Sequence, residues 1–441
     1  MAEINQQKPE LPPDELRDVI DLALWAGQLL LQMGAETARV EETVHRLGTG
    51  LGCNWLEILV SPNAIVATTI SGEAFRTKVR RVVRFGGVNL TAVAVVNRLS
   101  RQVNRGELDR AGVRAALEEI TARPHAYPRL LVAVLVGLAC AAFSQLFGGD
   151  AVVFAVTWLA AAIAMFIRQS LTQRHTNALF NVVITAFVAG LIASSATVFQ
   201  WSSRPQIALA ASVLLLVPGV QLVNASEDLL KGHMVTGITR GINGGLISLG
   251  IALGLALALG VAGVSDLWQG FTPPSAIWLD AFWSGAAALG FALLFNVPPR
   301  TLWACVLCGA AGHAVRTAFM GTGWRGISNI ETASFIGALV VGFLGEILAR
   351  RLRIPTPTFT ICGVIPMIPG TFAFGAMIGM LQLAGVLSVA AAPLPSDLLL
   401  TMVTNFIKTG LILGALAAGI ALPSLFFQRS HIQGLSSMGG R

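Results

Sequence analysis

Two Pro-Gly pairs, Pro218-Gly219 and Pro369-Gly370, stand about 11 or 12 residues inside long apolar segments. At about 1.5 Å per helical residue, both pairs would lie near the middle of a membrane core about 30 Å thick. Proline removes a helix hydrogen bond and clashes with the preceding turn, and glycine lets the backbone open. Because the freed backbone groups cannot face lipid, each break is expected to face protein or a polar cavity.

A break of this kind could bind an anion, because the half-helix after it begins with the positive end of a helix dipole. The carboxylate of a transported substrate has the matching charge. The predicted substrate-binding residues are those of the two breaks and the polar residues nearest to them in sequence: Pro218, Gly219, Gln221, Asn224, Pro369, Gly370 and Thr371. The alternative is that both breaks are packing kinks.

Charged residues inside apolar segments are a second source of chemistry. Lys408 lies about 11 residues into the last apolar segment, where an ammonium normally faces a cavity or a partner. We predict that it couples transport to substrate or protons, unless it belongs to a structural ion pair. Glu346 and Asp228, near the inner ends of two other segments, could accept protons. Asp228 and its neighbour Glu227 could equally cap a helix at the membrane interface.

Other candidate chemistries find less support. Arg316 and His313 lie in the outer half of the seventh apolar segment, and His313 could relay protons because burial lowers the pKa of a histidine. Cys305 and Cys308 make a CxxC motif, but it lies within an apolar helix without a second ligand pair, so small packing residues explain it better than zinc. The sequence contains no HExxH, GxSxG or GxxxxGK[ST] motif. We therefore expect no catalytic residue, metal or cofactor.

The elements that carry these residues are membrane helices. The chain has 441 residues, of which 54% are hydrophobic and 12% charged, compared with about 25% charged in ordinary soluble domains. Ten apolar runs are long enough to span a bilayer: 130–147, 151–167, 178–197, 207–224, 239–263, 276–295, 301–320, 329–349, 359–384 and 397–422. The fold class predicted is an α-helical membrane protein.

Basic residues in the connections predict the orientation, because short cytoplasmic loops are enriched in lysine and arginine. With the N-terminus inside, eight basic residues fall on inner connections and two on outer ones. They are Arg168, Arg174, Lys231, Arg240, Arg300, Arg350, Arg351 and Arg353 inside, and Arg204 and Arg325 outside. Both termini are then cytoplasmic. The protein itself is expected in the inner (plasma) membrane. This distribution explains the net charge of +7 without nucleic acid as a partner.

Recurring residues predict an internal repeat. Arg168 and Arg316 are separated by 148 positions, as are Asn181 and Asn329, and the two Pro-Gly pairs by 151. Because each unit has five spans, the second would enter the membrane from the opposite side, giving a 5+5 inverted repeat, which is common in secondary transporters. The predicted domains are a cytoplasmic α/β domain (1–128), two five-helix repeats (129–265 and 266–428) and a cytoplasmic tail (429–441).

Within the N-terminal domain, helical spacing predicts helices over 14–33, 36–51 and 90–121, the last interrupted at Gly106. A hairpin over 56–71, turning at residues 61–63, and a strand over 77–85 are predicted from β-branched residues. The i,i+3 pair of Glu36 and Arg39, followed by Glu41, forms either a solvated helix face or a gate on the cytoplasmic side.

Three ordered motifs carry a family resemblance. The string GAETARVEET from Gly34 to Thr43, VPGVQLVN from Val217 to Asn224, and IPGTFAF from Ile368 to Phe374 resemble the signatures of the threonine/serine exporter family. Two-chain relatives divide between the halves, and this chain resembles the fused form. The resemblance covers about residues 14–425.

The resemblance implies export of L-threonine and L-serine, driven by the proton-motive force, and proton antiport is the expected mode. Some two-chain relatives imply four-carbon dicarboxylates such as succinate instead. A membrane-embedded enzyme or a channel is the alternative from another class. The expected partners are a small amino-acid substrate, protons and the lipid bilayer, and a homo-oligomer is compatible with the sequence.

Overall fold

The structure is a computed structural model, which describes residues 9–72, 74–82, 87–174, 176–264, 276–322, 329–385 and 397–436. It divides into two compact units. Unit 1 consists of residues 1–126, 224–241 and 295–298, and unit 2 of residues 127–223, 242–294 and 299–441. Phe85 and Arg325, which the sequence assigned to a strand and a loop, lie outside the described residues.

Unit 1 begins with four helices around one apolar core and a three-stranded sheet. Its helices and strands are α1 (Pro13–Gln32), α2 (Thr37–Gly50), β1 (Trp55–Ser61), β2 (Ala64–Ser71), β3 (Ala74–Arg81), α3 (Leu90–Asn104) and α4 (Arg110–Ala122). The sheet is antiparallel in the order β1-β2-β3. Ser61 pairs with Ala64 at the hairpin turn, where the sequence places it.

Two segments from far along the chain complete unit 1. Residues 295–298 cap the N-terminus of α3, where the first N–H groups of a helix have no partner within it. The N–H of Leu90 donates to the carbonyl of Phe295 at 2.9 Å, and that of Thr91 donates to the carbonyl of Asn296 at 3.1 Å. Asn296 also accepts the N–H of Ala126 on its side-chain oxygen at 2.9 Å.

Long apolar helices make up the rest of the chain. They are α5 (Arg129–Leu146), α6 (Ala151–Gln173), α7 (Ala178–Ala193), α8 (Ser195–Val198), α9 (Gln206–Ser212), α10 (Gly219–Leu230), α11 (Met234–Ala262), α12 (Ile277–Leu294), α13 (Leu302–Thr322), α14 (Ile330–Leu352), α15 (Pro357–Val364), α16 (Gly370–Leu383) and α17 (Leu398–Ser436). Among the described residues, eight helices are long and apolar enough to span a membrane, and two bent pairs raise the number to 10. The prediction of a helical membrane protein is confirmed.

Unit 2 contains the same helix contact twice, at the spacing that the sequence repeat predicts. A Cβ added to Gly137 on α5 would lie 2.7 Å from the carbonyl oxygen of Trp158 on α6. A Cβ added to Gly285 on α12 would lie 3.6 Å from that of Val306 on α13. Both members of the second pair follow those of the first by 148 positions. Small residues let helices approach closely at both places.

Candidate functional site

Two broken helices form the centre of the site. The first runs through α9 and a short 3-10 turn (Leu214–Leu216) before bending by 61° into α10. The second runs through α15 and a 3-10 turn (Ile365–Met367) before bending by 54° into α16. The proline of each Pro-Gly pair has no N–H to continue the helix, and the glycine after it begins the next half-helix.

The two breaks lie against each other. A Cβ added to Gly219 would lie 2.4 Å from Cδ1 of Ile368, and one added to Gly370 would lie 2.9 Å from Cδ2 of Leu214. Each glycine therefore accommodates a side chain from the opposite broken helix. A larger residue at either position would have to displace that side chain.

A cavity of about 850 Å³ opens beside this contact. Gly219, Pro369, Gly370 and Thr371 line it together with apolar side chains of α5, α12, α13 and α14. The volume is in the range of small-molecule sites, which are mostly apolar with a few polar groups that fix orientation. Those polar groups come mainly from α13, through His313, Arg316 and Thr317.

These α13 side chains form a hydrogen-bonded cluster with a carboxylate of α12. Nδ1 of His313 lies 2.7 Å from Oδ2 of Asp280, and the hydroxyl of Thr317 donates to Oδ1 of Asp280 at 3.0 Å. On the other edge of the ring, Nε2 of His313 lies 2.7 Å from Nη2 of Arg316. Asp280 is fully buried and His313 nearly so. We refer to Asp280, His313 and Arg316 as the α12–α13 cluster.

The chemistry of the cluster determines where its protons reside. A guanidinium donates hydrogen bonds and cannot accept them, so Nε2 of His313 must be unprotonated and accept from Arg316. Nδ1 then carries the hydrogen and donates it to the carboxylate of Asp280. The arrangement is a neutral imidazole between an anion and a cation.

Arg316, which lines the cavity, has one unused donor among the described residues. Its Nη1 donates to the carbonyl of Met367, just before the second break, at 3.4 Å. Its Nε is buried and has no hydrogen-bond partner among the described residues. A buried unsatisfied donor costs about 1–3 kcal/mol, and a ligand acceptor would remove that cost. Arg168, which stands 148 positions before Arg316, also donates to a carbonyl before a break, that of Leu215 at 3.1 Å, but is not among the described residues that line the cavity.

The remaining predicted substrate residues lie elsewhere. Gln221 accepts a hydrogen bond from the amide of Asn243 at 3.1 Å. Asn224 belongs to unit 1, where its amide donates to the carbonyl of Gly34 at 2.9 Å. Pro218 is buried, with its ring 3.7 Å from a Cβ built on Gly244. None of these three is among the described residues that line the cavity.

The three predicted coupling residues are not brought together. Lys408 is partly buried, with Nζ 5.5 Å from the centre of the Phe372 ring. Glu346 accepts hydrogen bonds from Arg350 and Thr356, both at 2.9 Å. The third residue, Asp228, lies in unit 1.

Asp228 binds the start of the GAETARVEET motif (Gly34–Thr43), called the GAE motif below, within unit 1. Its fully buried carboxylate accepts the N–H of Thr37, at the start of α2, at 3.1 Å, and the guanidinium of Arg240 at 2.8 Å. Arg240 also donates to the carbonyl of Ala35 at 2.8 Å. The buried ion pair of Asp228 and Arg240 therefore binds the start of α2, which stands about 190 positions earlier in the chain.

The predicted gating residues lie next to this pair. Glu36 binds Arg39 at 3.2 Å and also pairs with Lys231. Burial alone would raise the pKa of Glu36, but the charges of Arg39 and Lys231 outweigh it and hold the pKa at about 2. Oε1 of Glu41 lies 3.6 Å from Nδ1 of His233. Burial raises the pKa of Glu41 above its usual value.

Sequence reasoning missed Asp280. It is an acidic residue within an apolar run, in the first turn of a helix long enough to span the membrane. Intramembrane carboxylates are rare and usually functional, and this was the signal that could have found it.

Comparison with known proteins gives consistent matches along the chain. Residues 21–262 match a family model described as "Putative threonine/serine exporter", and residues 280–426 match one described as "Threonine/Serine exporter, ThrE". A protein of Escherichia coli K12 named "Probable succinate transporter subunit YjjP" is 41% identical over 240 residues, which are 54% of this chain and 91% of that protein. Its Klebsiella aerogenes namesake is also 41% identical, over 53% of this chain and 90% of that protein.

An uncharacterized Haemophilus influenzae protein is 26% identical over 94% of this chain and 96% of its own length. No solved structure matches the chain.

Proposed function

Because the chain belongs to the threonine/serine exporter family, we propose that it is a secondary transporter that carries a small carboxylate solute through the cavity between its broken helices. One observation carries the proposal. Arg316 lines a cavity of about 850 Å³, and its buried Nε has no hydrogen-bond partner among the described residues. A carboxylate matches an arginine fork in charge and geometry.

The substrate proposed is a four-carbon dicarboxylate such as succinate, with threonine and serine as the second candidate. His313 and Arg316 are the ionisable side chains among the described cavity residues, and no carboxylate lines the cavity there to bind an α-ammonium. A dianion suits such a lining better than a zwitterion. The names of the two 41% identical relatives point in the same direction.

The transport cycle proposed is alternating access between two inverted five-helix repeats. Three features support it: the paired breaks, the duplicated glycine contact of Gly137 and Gly285, and the two arginines that donate to carbonyls just before a break. In this proposal the protein lies in the inner membrane, and both of its termini face the cytoplasm. The ion pairs around Glu36, Arg39 and Glu41 would then gate the cytoplasmic side.

Uptake of labelled succinate, threonine and serine into inverted vesicles tests the function. We expect succinate to accumulate most and to respond to an imposed pH gradient. Arg316→Gln removes the charged donors, each worth about 1.5–3 kcal/mol, so apparent affinity should fall by roughly ten- to a hundredfold. Transport of none of the three solutes would reject the proposal.

Arg168→Gln is the matched control, because Arg168 also donates to a carbonyl before a break but does not line the cavity. It should leave apparent affinity unchanged. If both variants weaken affinity equally, the arginines act by holding the broken helices, and the substrate-binding role of Arg316 is wrong.

A further inference from the structure

We propose that Nε2 of His313 is the proton-binding site of the transporter, and that a proton binds there together with the anionic substrate. This inference rests on the proposed function. It adds which residue binds the coupling proton, and whether the proton moves in the same direction as the substrate or in the opposite one. The geometry that carries it is the α12–α13 cluster, whose three members are linked by contacts of 2.7 Å.

Nε2 has one lone pair, which can serve one hydrogen at a time. In this structure the hydrogen comes from Arg316. A proton can bind to Nε2 only after the guanidinium has moved away, because an imidazolium and a guanidinium would otherwise present two donors to each other. Proton binding and the Arg316–His313 contact therefore exclude each other.

The substrate competes for the same guanidinium. Arg316 lines the cavity, and one of its donors, the buried Nε, has no hydrogen-bond partner among the described residues. When a carboxylate draws the guanidinium into the cavity, Nε2 of His313 loses its donor and becomes free to bind a proton. Asp280 stays hydrogen-bonded to Nδ1 and balances the positive charge of the resulting imidazolium.

Each event thus favours the other, and the exchange is balanced: Nε2 gives up a hydrogen bond from Arg316 and gains a proton from water. Substrate and proton would then cross together, which is symport. In symport the proton moves in the same direction as the substrate, whereas the antiport expected from the family resemblance would move it in the opposite direction.

The surroundings leave few competing proton acceptors. Asp280 and Thr317 complete the hydrogen bonds of the cluster. The other titratable or charged residues on the helices and turns packed against α12 and α13 are Arg129 and Cys140 on α5, Arg300 on the 3-10 turn before α13, Cys305 and Cys308 on α13, Cys362 on α15, and Glu331, Glu346, Arg350 and Arg351 on α14. Arg129 binds Ser170 and Gln173, and Glu346 binds Arg350, away from the cluster.

The test measures succinate binding to the purified full-length protein as a function of pH. The range runs from about pH 7 to about pH 9, so that both carboxyl groups of succinate and the protein's ordinary carboxyl groups stay ionised throughout. If one proton binds with the substrate, the dissociation constant of succinate should rise by up to tenfold for each unit by which the pH is raised. In weakly buffered solution, succinate should also make the medium more alkaline.

His313→Asn keeps an amide that can donate to Asp280 but cannot bind a proton, so binding should become independent of pH. His125→Asn, at an exposed position in unit 1, is the matched control and should keep the wild-type slope. A pH-dependent affinity that survives in His313→Asn would overturn the proposal, as would acidification of the medium by succinate.

A measurement on the wild-type protein covers the case in which His313→Asn does not fold. In protein labelled with ¹⁵N-histidine, succinate should convert one buried imidazole from the Nδ1–H form to the doubly protonated form. A spectrum in which bound succinate leaves every buried histidine neutral would reject the proposal. Absence of binding by any carboxylate would instead reject the proposed function itself.

Discussion

The carboxylate of Glu36 should stabilise the start of α2 by several kcal/mol. Its side chain is 11% exposed, and its pKa falls from 4.5 to about 2 because Arg39 and Lys231 outweigh the opposing effect of burial. At about 1.4 kcal/mol per pKa unit, this shift corresponds to about 3 kcal/mol. Because the pKa is lowered in the folded state, the contribution is complete above about pH 4.5 and is lost as the pH falls toward 2.

Hydrogen exchange of the α2 amides measures this contribution locally. Glu36→Gln should speed exchange of Thr37–Gly50 by roughly a hundredfold at neutral pH, relative to intrinsic rates, since about 1.4 kcal/mol is a factor of ten. At about one pH unit below 4.5, wild-type exchange should speed up by roughly tenfold, and exchange in Glu36→Gln should not.

Glu42→Gln is the matched control in the same helix. Glu42 also pairs with an arginine, Arg46, but its side chain is 57% exposed, and an exposed pair contributes less than about 1 kcal/mol. If Glu36→Gln speeds exchange no more than Glu42→Gln does, then the buried pairs of Glu36 do not hold the GAE motif in place.

Three further predictions concern the membrane helices. Gly219→Leu and Gly370→Leu should abolish flux while leaving folded protein in the membrane, because each added side chain would collide with a side chain of the opposite broken helix. Normal transport by both variants would show that the breaks are only packing kinks. Lys408→Met and Lys408→Arg should both lose gradient-driven transport, and lowered thermal stability of Lys408→Met with unchanged flux per molecule would show a structural role instead. A cysteine at Gly149 should react with an impermeant reagent from outside the cell and one at Arg351 only from inside, and the reverse pattern would invert the topology.

The membrane helices and their breaks could be predicted because their signals are local. Twenty consecutive apolar residues specify a span wherever they pack, and the predicted and observed ends of most spans agree within a few residues. The Pro-Gly pairs act through backbone chemistry at their own positions. The largest differences are at the C-terminal ends of three helices: α17 continues to Ser436 rather than 422, α6 to Gln173 rather than 167, and α10 to Leu230 rather than 224.

The polar contacts could not be predicted, because they join residues distant in sequence. Nothing near Asp228 indicates that it meets Thr37 and Arg240. Likewise, Asn224 follows a break by a few residues, yet the helix turns its amide to Gly34 rather than to the cavity. Asp280 and His313 stand on separate helices, 33 positions apart.

The cap that residues 295–298 place on α3 has a consequence for biosynthesis. Leu90 and Thr91 find their acceptors in Phe295 and Asn296, so unit 1 cannot be completed when its N-terminal 126 residues leave the ribosome. At roughly 5–20 residues per second, translation of the intervening chain takes on the order of ten to thirty seconds. During that interval the N–H groups of Leu90 and Thr91 lack these acceptors while the first apolar spans enter the membrane. In a family member encoded as two chains, the wait would last until the second chain arrives, and a lone first subunit would present an unfinished helix end to the cell's proteases.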